Sequence, residues 1–264
     1  MSLSQASFGE ELKEWRRRRR LSQMELAGEA GLSTRPLSFL ETGRSPPSRA
    51  MGPRLAEELE LPLREQNLLL VAAGYAPVHP ARRLDDPGLG PARDAVRRIV
   101  AGHMPYPALA VDRHWTMLEA NAAVGALIDG VDPALLVPPV NVVRLSLHPG
   151  GLAPRIVDFP AWRGHMLRRL AHEVDLTGDA VLAGLLAEME ALPRPLAREQ
   201  RKADQFAGIA VPLRLRHGDG ELSFLSTTTV FGGPADVTLS EIAIEAFFPA
   251  DEETAARMRA LAAA

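Results

Sequence analysis

The 264-residue chain contains no cysteine. This excludes disulfide bonds, thiolate catalysis and cysteine-based metal sites, and it suits a protein of the reducing cytoplasm. No apolar run approaches the roughly 20 residues that span a bilayer, and the N-terminus lacks the apolar core of a signal peptide. The sequence therefore predicts a cytoplasmic protein without a membrane partner.

Motifs of several common enzyme classes are also missing. There is no Gly-x-Ser-x-Gly elbow, no phosphate-binding loop and no His-Glu-x-x-His zinc motif. Gly88-Leu-Gly90 is not a dinucleotide fingerprint, because Pro91 follows it and no predicted strand precedes it. We therefore predict no enzymatic activity, no catalytic residue, no metal site and no cofactor.

The charge of the chain is unevenly distributed. Hydrophobic residues make up 46% of the sequence, enough for two domains, and the net charge is −3. Residues 1–80 hold 11 basic and 10 acidic residues, so the excess of acid lies further along the chain. A run of five arginines, Arg16–Arg20, predicts a basic patch for a nucleic-acid backbone. Such a run also suits the exposed last turn of a helix.

Residues 21–44 predict two short helices joined by a tight turn, which is the spacing of a DNA-reading helix-turn-helix. Ser22 and Glu25 can form a capping box at the start of the first helix. Gly31 can adopt the left-handed conformation that ends it. The apolar face of this helix is predicted to consist of Met24, Leu26, Ala27 and Ala30.

Ser33 is predicted to cap the second helix, whose buried face carries Leu37 and Leu40. Pro36 would then occupy the third helical position, where no amide donor is required. The side chains predicted to point away from the core are Thr34, Arg35, Ser38, Glu41 and Thr42. Because the N-terminal end of such a helix enters the major groove, the first three are candidate base readers. An ordinary helical hairpin would show a similar pattern.

The region from Phe8 to Tyr75 resembles the five-helix, lambda-repressor-like domain of the XRE family of bacterial regulators. The resemblance rests on Leu12, Arg16-Arg17, Leu21-Ser-Gln, Glu25-Leu-Ala, Ala30-Gly-Leu-Ser, Leu37-Ser-x-Leu-Glu-x-Gly-Arg and Pro47-Ser48. It implies an all-α DNA-binding domain over residues 1–78. The family's fourth helix would contain Gly52-Pro53, so we expect that helix to start late or to bend there.

The resemblance implies roles for individual residues. Gln23 would contact a phosphate, and Thr42 or Arg44 would contact the DNA backbone. The full set of predicted DNA-contacting residues is Arg18, Arg19, Arg20, Gln23, Ser33, Thr34, Arg35, Ser38, Thr42 and Arg44. Because one such domain reads few base pairs, we predict a homodimer on double-stranded DNA, bound at an inverted repeat with half-sites about 10 base pairs apart or a multiple.

A second domain is predicted after a linker at residues 79–91, which is rich in proline, glycine and charge. Hydrophobic spacing predicts strands over 108–115, 116–121, 211–217, 221–231 and 237–248. Helices are predicted over 122–128, 162–192 and 251–263, the second interrupted at Thr177-Gly178. This order is typical of a PAS-like α+β fold.

Residues 92–264 resemble the MmyB-like ligand-binding domain that often follows XRE DNA-binding domains. The resemblance rests on Val111-Asp-Arg-x-Trp, Ala120-Asn-x-Ala, Asn141-Val-Val-Arg-Leu-Ser-Leu-His, Ala161-Trp162, Leu213-Arg-Leu-Arg and Leu222-Ser-Phe-x-Ser-Thr-Thr-Thr-Val-Phe-Gly. It implies a sensor whose largely apolar pocket holds a small, fatty-acid-like ligand. A haem or flavin sensor stays open, although no histidine is marked out for it.

The predicted ligand-binding residues are Trp115, Asn121, Asn141, Arg144, His148, Trp162, Met166, Phe224 and Thr228. Arg144 and His148 are the predicted donors to a carboxylate head. Some of these residues also have a structural alternative: Asn121 can order a turn, Arg144 can form an ion pair, the tryptophans can fill the core, and Thr228 can be a strand residue. His165 and His172 suit an exposed helix face. A ligand-free dimerisation or partner-interaction module is the alternative function.

Overall fold

The computed structural model describes residues 7–193, 211–233 and 235–263. The first six residues of the predicted DNA-binding domain and Ala264 of the predicted second domain lie outside the described residues. The chain divides into two compact units, and the main boundary between them falls between Arg82 and Arg83, inside the predicted linker. The two are called here the first unit and the second unit.

Over residues 7–82, the first unit consists of five helices, which confirms the predicted all-α class. They are α1 (Phe8–Arg18), α2 (Gln23–Glu29), α3 (Thr34–Glu41), α4 (Met51–Glu58) and α5 (Leu63–Ala72). Each helix contributes apolar side chains to one core, which includes Leu12, Leu26, Leu37, Leu55 and Leu69. Burial of these leucines, rather than helix propensity, supplies most of the stability of such short helices.

Local signals in the first unit are confirmed in large part. Ser22 and Glu25 form the predicted capping box, and Gly31 has a φ of +57°. Helix α4 begins late, at Met51, so that Pro53 lies in its first turn and displaces no helical hydrogen bond. The prediction for Met24 was wrong: it lies two residues before Leu26, on the opposite side of the helix, and its side chain is 72% exposed.

The N-cap of α3 differs from the prediction in one detail. Ser33 occupies the N-cap position, but its side chain makes no capping hydrogen bond. A serine cap bonds the amide of the second or third helical residue. The third residue here is Pro36, which has no amide hydrogen. Only the amide of Arg35, the second residue, could therefore donate to the Ser33 hydroxyl.

The second unit is an α+β fold around one antiparallel sheet, as predicted. Its strands are β1 (Ala108–Val111), β2 (Met117–Ala120), β3 (Leu213–His217), β4 (Gly220–Val230) and β5 (Ala243–Pro249), in the spatial order β2-β1-β5-β4-β3. Its helices are α6 (Gly90–Gly102), α7 (Ala123–Ile128), α8 (Val142–Leu147), α9 (Phe159–Thr177), α10 (Ala180–Ala191), α11 (Val237–Ser240) and α12 (Glu252–Ala263).

Two helices and one strand depart from the sequence pattern. Helices α6 and α8 were not predicted, although the apolar residues of α6 recur at helical spacing. The predicted strand over 237–248 begins with the short helix α11, and only Ala243–Pro249 pairs in the sheet. The long predicted helix is broken at Gly178, which has a φ of +66°, as expected from the sequence.

Apolar side chains cover both faces of the sheet. The larger core lies between one face and helices α7 to α10 and includes Leu109, Trp162, Leu170 and Phe224. On the other face, Val96 and Val100 of α6 pack against Ala108, Ala110 and Ile244. Within the described residues, no helix is long and apolar enough to cross a membrane.

Candidate DNA-binding surface and ligand cavity

The outer surface of α3 carries the predicted base readers. Thr34 and Arg35 are exposed in its first turn, and Ser38 is half-buried one turn later. Thr42 and Arg44 are exposed beyond its C-terminal end, with the Thr42 hydroxyl donating to the Ser38 carbonyl at 2.7 Å. The polar side chains that can form hydrogen bonds with base edges therefore face solvent at the N-terminal end of this helix.

Phe39 is a residue of this surface that the sequence prediction missed. Its half-buried ring lies 5.4 Å from the Arg35 guanidinium carbon and 5.9 Å from that of Arg44. Cation–π attraction operates over about 6 Å. The ring therefore helps to hold the side chains of two predicted DNA contacts. The spacing of four residues between Arg35 and Phe39 on one helix is the sequence signal for the Arg35–Phe39 contact.

A buried ion pair joins α1 and α3. Arg16 Nε and Nη2 donate to the two carboxylate oxygens of Glu41 at 2.6 and 3.0 Å, and Gln23 Nε2 donates to the same carboxylate at 2.7 Å. Glu41 was predicted to point away from the core, but its side chain is only 1% exposed. Burial alone would raise the pKa of Glu41, but the hydrogen bonds from Arg16 and Gln23 outweigh it and the pKa is lowered.

Gln23, the predicted phosphate contact, also has a structural role. Its amide nitrogen is bound to Glu41, and the side chain is half-buried at the first residue of α2. The Glu41 carboxylate therefore fixes the position of Gln23.

The arginine run divides between core and surface. Arg16 is buried, and Arg19 is half-buried with its Nε donating to the Leu59 carbonyl at 2.8 Å. Arg17, Arg18 and Arg20 are exposed. The predicted patch of five charges is therefore wrong, because two of the five guanidiniums hold the fold together. The other three charges are exposed, although Arg18 also pairs with Glu14 at 3.2 Å.

The second unit contains a cavity of about 60 Å³ between the sheet and helices α7 to α9. Most of its lining is apolar, including Leu109, Trp115, Leu145, Trp162, Met166 and Phe247. The polar residues of the lining are Ser146, His165, Arg169, Ser226 and Glu245. Apolar walls with a few convergent polar groups are the usual composition of a small-molecule site.

The polar end of the cavity is organised around Arg169. Its guanidinium donates to both oxygens of Glu245 at 2.6 and 3.1 Å and lies 4.4 Å from the centre of the Trp115 ring. Glu173 accepts from Trp115 Nε1 at 2.7 Å and lies 3.5 Å from Arg169 Nε. Thr228 donates to Glu245 at 3.0 Å. These contacts hold the side chains of the network in fixed positions.

Burial and the neighbouring charges together set the pKa values in this network. Burial raises the pKa of Glu173, against the opposing effects of Trp115 and Arg169. For Arg169, burial lowers the pKa, but the carboxylates of Glu245 and Glu173 outweigh it and the pKa is raised. The guanidinium is therefore charged at every physiological pH, and the cost of burying it is offset by its two carboxylate partners.

Arg144 and His148, the predicted carboxylate donors, do not line the cavity. Arg144 is exposed and forms two hydrogen bonds of 2.7 Å with Glu188 of α10. His148 ends α8 and accepts from the Gly150 amide at 3.0 Å. The prediction that these side chains face a ligand is wrong for this cavity, because α8 presents Leu145 and Ser146 to it and turns Arg144 outward.

The two predicted asparagines order the backbone, which was the structural alternative given for Asn121. Asn121 Nδ2 donates to the carbonyls of Val100 and Tyr106 at 3.1 and 2.8 Å. Asn141 is the N-cap of α8, accepting from the Arg144 amide at 3.0 Å and donating to the His114 carbonyl at 2.8 Å. Their hydrogen-bonding groups are thus used within the fold, outside the cavity lining.

Of the remaining predicted ligand-binding residues, Trp115, Trp162 and Met166 line the cavity, whereas Phe224 and Thr228 do not. Phe224 is fully buried in the core beside Phe247. Arg169 and Glu245 were missed. Glu245 interrupts the apolar run 242–248, and a carboxylate inside a buried strand is a signal that the sequence does contain.

His165, on the cavity wall, makes the stability of the second unit depend on pH. Burial and the charges of Arg169 and Arg168 lower its pKa below the ordinary value of 6.5, although Glu245 raises it in part. The unfolded chain then binds more protons than the folded one as the pH falls through that value, so stability is lost on acidification. We expect the melting temperature to fall between about pH 7 and 5, and less so in His165→Gln.

Calorimetry across this pH range measures the effect. His172→Gln is the matched control, because His172 lies on the same helix but is exposed. Equal pH dependence in the wild type and His165→Gln would show that other groups carry it.

Family profiles match both units. The profile of the MmyB-like transcription regulator ligand binding domain matches residues 92–261, which is more than half of the chain. The chain belongs to this family. A helix-turn-helix domain profile matches residues 7–69. The MmyB-like chain thus joins a DNA-binding domain to a ligand-binding domain, which is the organisation of a ligand-sensing transcription regulator. A search of curated protein sequences finds no match to it.

Proposed function

We propose that this MmyB-like regulator binds an inverted-repeat operator as a homodimer and changes its DNA binding when a small, largely apolar ligand enters the cavity of the second unit. Fatty-acid-like compounds are the class that the family resemblance suggests first. The observation that carries the proposal is a cavity with apolar walls and one polar end inside the matched ligand-binding domain. The proposal includes no catalytic step and places the protein in the cytoplasm, together with its DNA.

The size of the cavity explains how binding can act as a switch. Its volume of about 60 Å³ exceeds the space needed by a water molecule but is far below the roughly 300–1,000 Å³ of typical ligand pockets. An acyl chain must therefore move side chains such as Met166 or Leu145 to enter. A ligand that binds only the widened form shifts the protein toward that form.

The first test of the ligand proposal extracts the purified protein with solvent and analyses the extract by mass spectrometry. The delipidated protein then enters a thermal shift assay with saturated fatty acids and alcohols of six to fourteen carbons. Ser226→Leu would fill the cavity from β4, and Thr227→Leu is its matched control because the adjacent side chain is exposed. We expect stabilisation of the wild type and Thr227→Leu, and its loss in Ser226→Leu.

The competing function is a ligand-free dimerisation or partner-interaction module. No shift with any compound, together with an extract free of small molecules, would favour it. The exposed apolar residues Val230 and Phe248 of the second unit are compatible with such a role. The cavity, in contrast, would then have no use, and filling it in Ser226→Leu should stabilise the protein without affecting its DNA binding.

Arg35 is expected to specify sequence, because it is exposed in the first turn of α3. An arginine that bonds a guanine edge discriminates between bases, whereas a phosphate contact strengthens binding to any sequence. Arg35→Ala should cost about 1–3 kcal/mol on the operator and much less on random DNA. Arg20→Ala, which removes an exposed charge outside α3, should weaken both alike and reduce the salt dependence.

Binding assays on an operator selected from a random library measure both variants. Equal losses for Arg35→Ala on the operator and on random DNA would remove it from the base readers.

Dimerisation is the remaining part of the proposal. A single helix-turn-helix reads one half-site, so we expect twofold dimers on DNA with half-sites about 10 base pairs apart, or a multiple. Sedimentation of the free protein and of its operator complex measures this. A monomer in both samples at micromolar concentration would contradict it.

A further inference from the structure

The polar end of the cavity contains an ion pair that is complete within the protein. Arg169 and Glu245 both contribute to the lining, and two hydrogen bonds join them. The Glu173 carboxylate does not belong to the lining and lies 3.5 Å from Nε of the same guanidinium. Two carboxylates and one guanidinium thus meet here, and a ligand head group must be compatible with this set.

A charged head group is poorly suited to this end. A carboxylate that approaches Arg169 also approaches Glu245, and like charges in a buried site repel strongly. Displacing Glu245 would strand a carboxylate in the central strand β5, where its residue is only 4% exposed. An ammonium head that approaches Glu245 also approaches the Arg169 guanidinium, which repels it. Glu173 does not offset this repulsion, because it does not line the cavity.

A neutral hydrogen-bonding head avoids both conflicts. The Ser146 hydroxyl lines the cavity and accepts from Trp162 Nε1 at 2.8 Å, and its own proton can be donated to a ligand oxygen. Ser226 adds a second hydroxyl to the lining. Hydroxyl groups can pair with an alcohol, amide or ester without bringing charge into the site.

We propose that the ligand of this cavity has an apolar body and an uncharged hydrogen-bonding head group, rather than a carboxylate or an ammonium group. The inference rests on the proposed function, because it takes the cavity as the ligand site, and it narrows the chemical class of the ligand. It departs from the fatty-acid class that the family resemblance suggests, and the Arg169–Glu245 pair is the reason.

The experiment compares four compounds of equal chain length on the delipidated full-length protein at pH 8: 1-octanol, octanamide, octanoate and octylamine. Calorimetric titration gives each affinity. We expect octanol or octanamide to bind at least about tenfold more tightly than octanoate and octylamine. Equal or tighter binding of octanoate or octylamine would overturn this inference while the sensor function stands. No binding of any compound would overturn both.

A charge-removing variant tests the cause. Glu245→Gln leaves Arg169 without its main partner, so octanoate affinity should rise about tenfold or more, with little change for octanol. Glu173→Gln should also raise the octanoate affinity, and it replaces Glu245→Gln as the test variant if the latter fails to fold. Glu188→Gln is the matched control, because its carboxylate pairs with Arg144 outside the cavity lining. Unchanged octanoate affinity in the folded variants would overturn the inference.

Discussion

Glu41→Ala is expected to destabilise the first unit by about 3–5 kcal/mol and to abolish operator binding. The substitution leaves Arg16 buried without its carboxylate partner and releases Gln23 from its hydrogen bond. Because α3 then loses its ion-pair connection to α1, both the predicted phosphate contact and the predicted base readers lose their fixed positions. Denaturant unfolding followed by circular dichroism, together with a DNA-binding assay, measures the effect.

Two controls separate the ion pair from a general effect of the substitution. Glu57→Ala removes an exposed carboxylate of α4 and should have little effect. The double variant Arg16→Met with Glu41→Leu replaces both charges by apolar side chains, and such a replacement often restores stability. A Glu41→Ala protein that unfolds at the same denaturant concentration as the wild type would rule out this role of the pair.

The same ion pair shows where a local pattern falls short in the first unit. The helix starts, the turn at Gly31 and the leucine spacing depend on nearest neighbours along the chain, and the sequence predicted them. Glu41 was assigned to the outer face because it is charged. Its spacing of four residues from Leu37 places it on the buried face. Distant partners, chiefly Arg16 at 25 residues, make that burial favourable.

The cavity was harder to predict for a related reason. Trp115, Trp162 and Met166 line it as expected, because large apolar side chains collect in the core. The polar residues of the lining were predicted incorrectly. Asn121 and Asn141 satisfy nearby backbone groups, whereas Arg169 and Glu245 meet across 76 residues of sequence. No local spacing reveals a contact between a helix and a distant strand.

Phe224→Ala is expected to destabilise the second unit by about 3–5 kcal/mol without changing the ligand affinity of the folded protein. Phe224 is fully buried, and its ring meets that of Phe247 edge-on at 6.3 Å, but it does not line the cavity. Its removal therefore leaves a hole in the core rather than a wider ligand site. Denaturant unfolding and titration with octanol well below the melting temperature measure the two quantities.

The neighbouring strand provides the matched control for this variant. Phe248 of β5 is 45% exposed, so Phe248→Ala should remove little buried surface and cost far less than the Phe224 variant. The sequence prediction placed Phe224 among the ligand-binding residues, whereas the structure places it in the core outside the cavity lining. The two assignments predict different ligand affinities for Phe224→Ala. A Phe224→Ala protein that is still folded but has lost its affinity for octanol would mean that the ligand reaches Phe224 when the cavity widens. Unchanged affinity with reduced stability would assign the ring to the core alone.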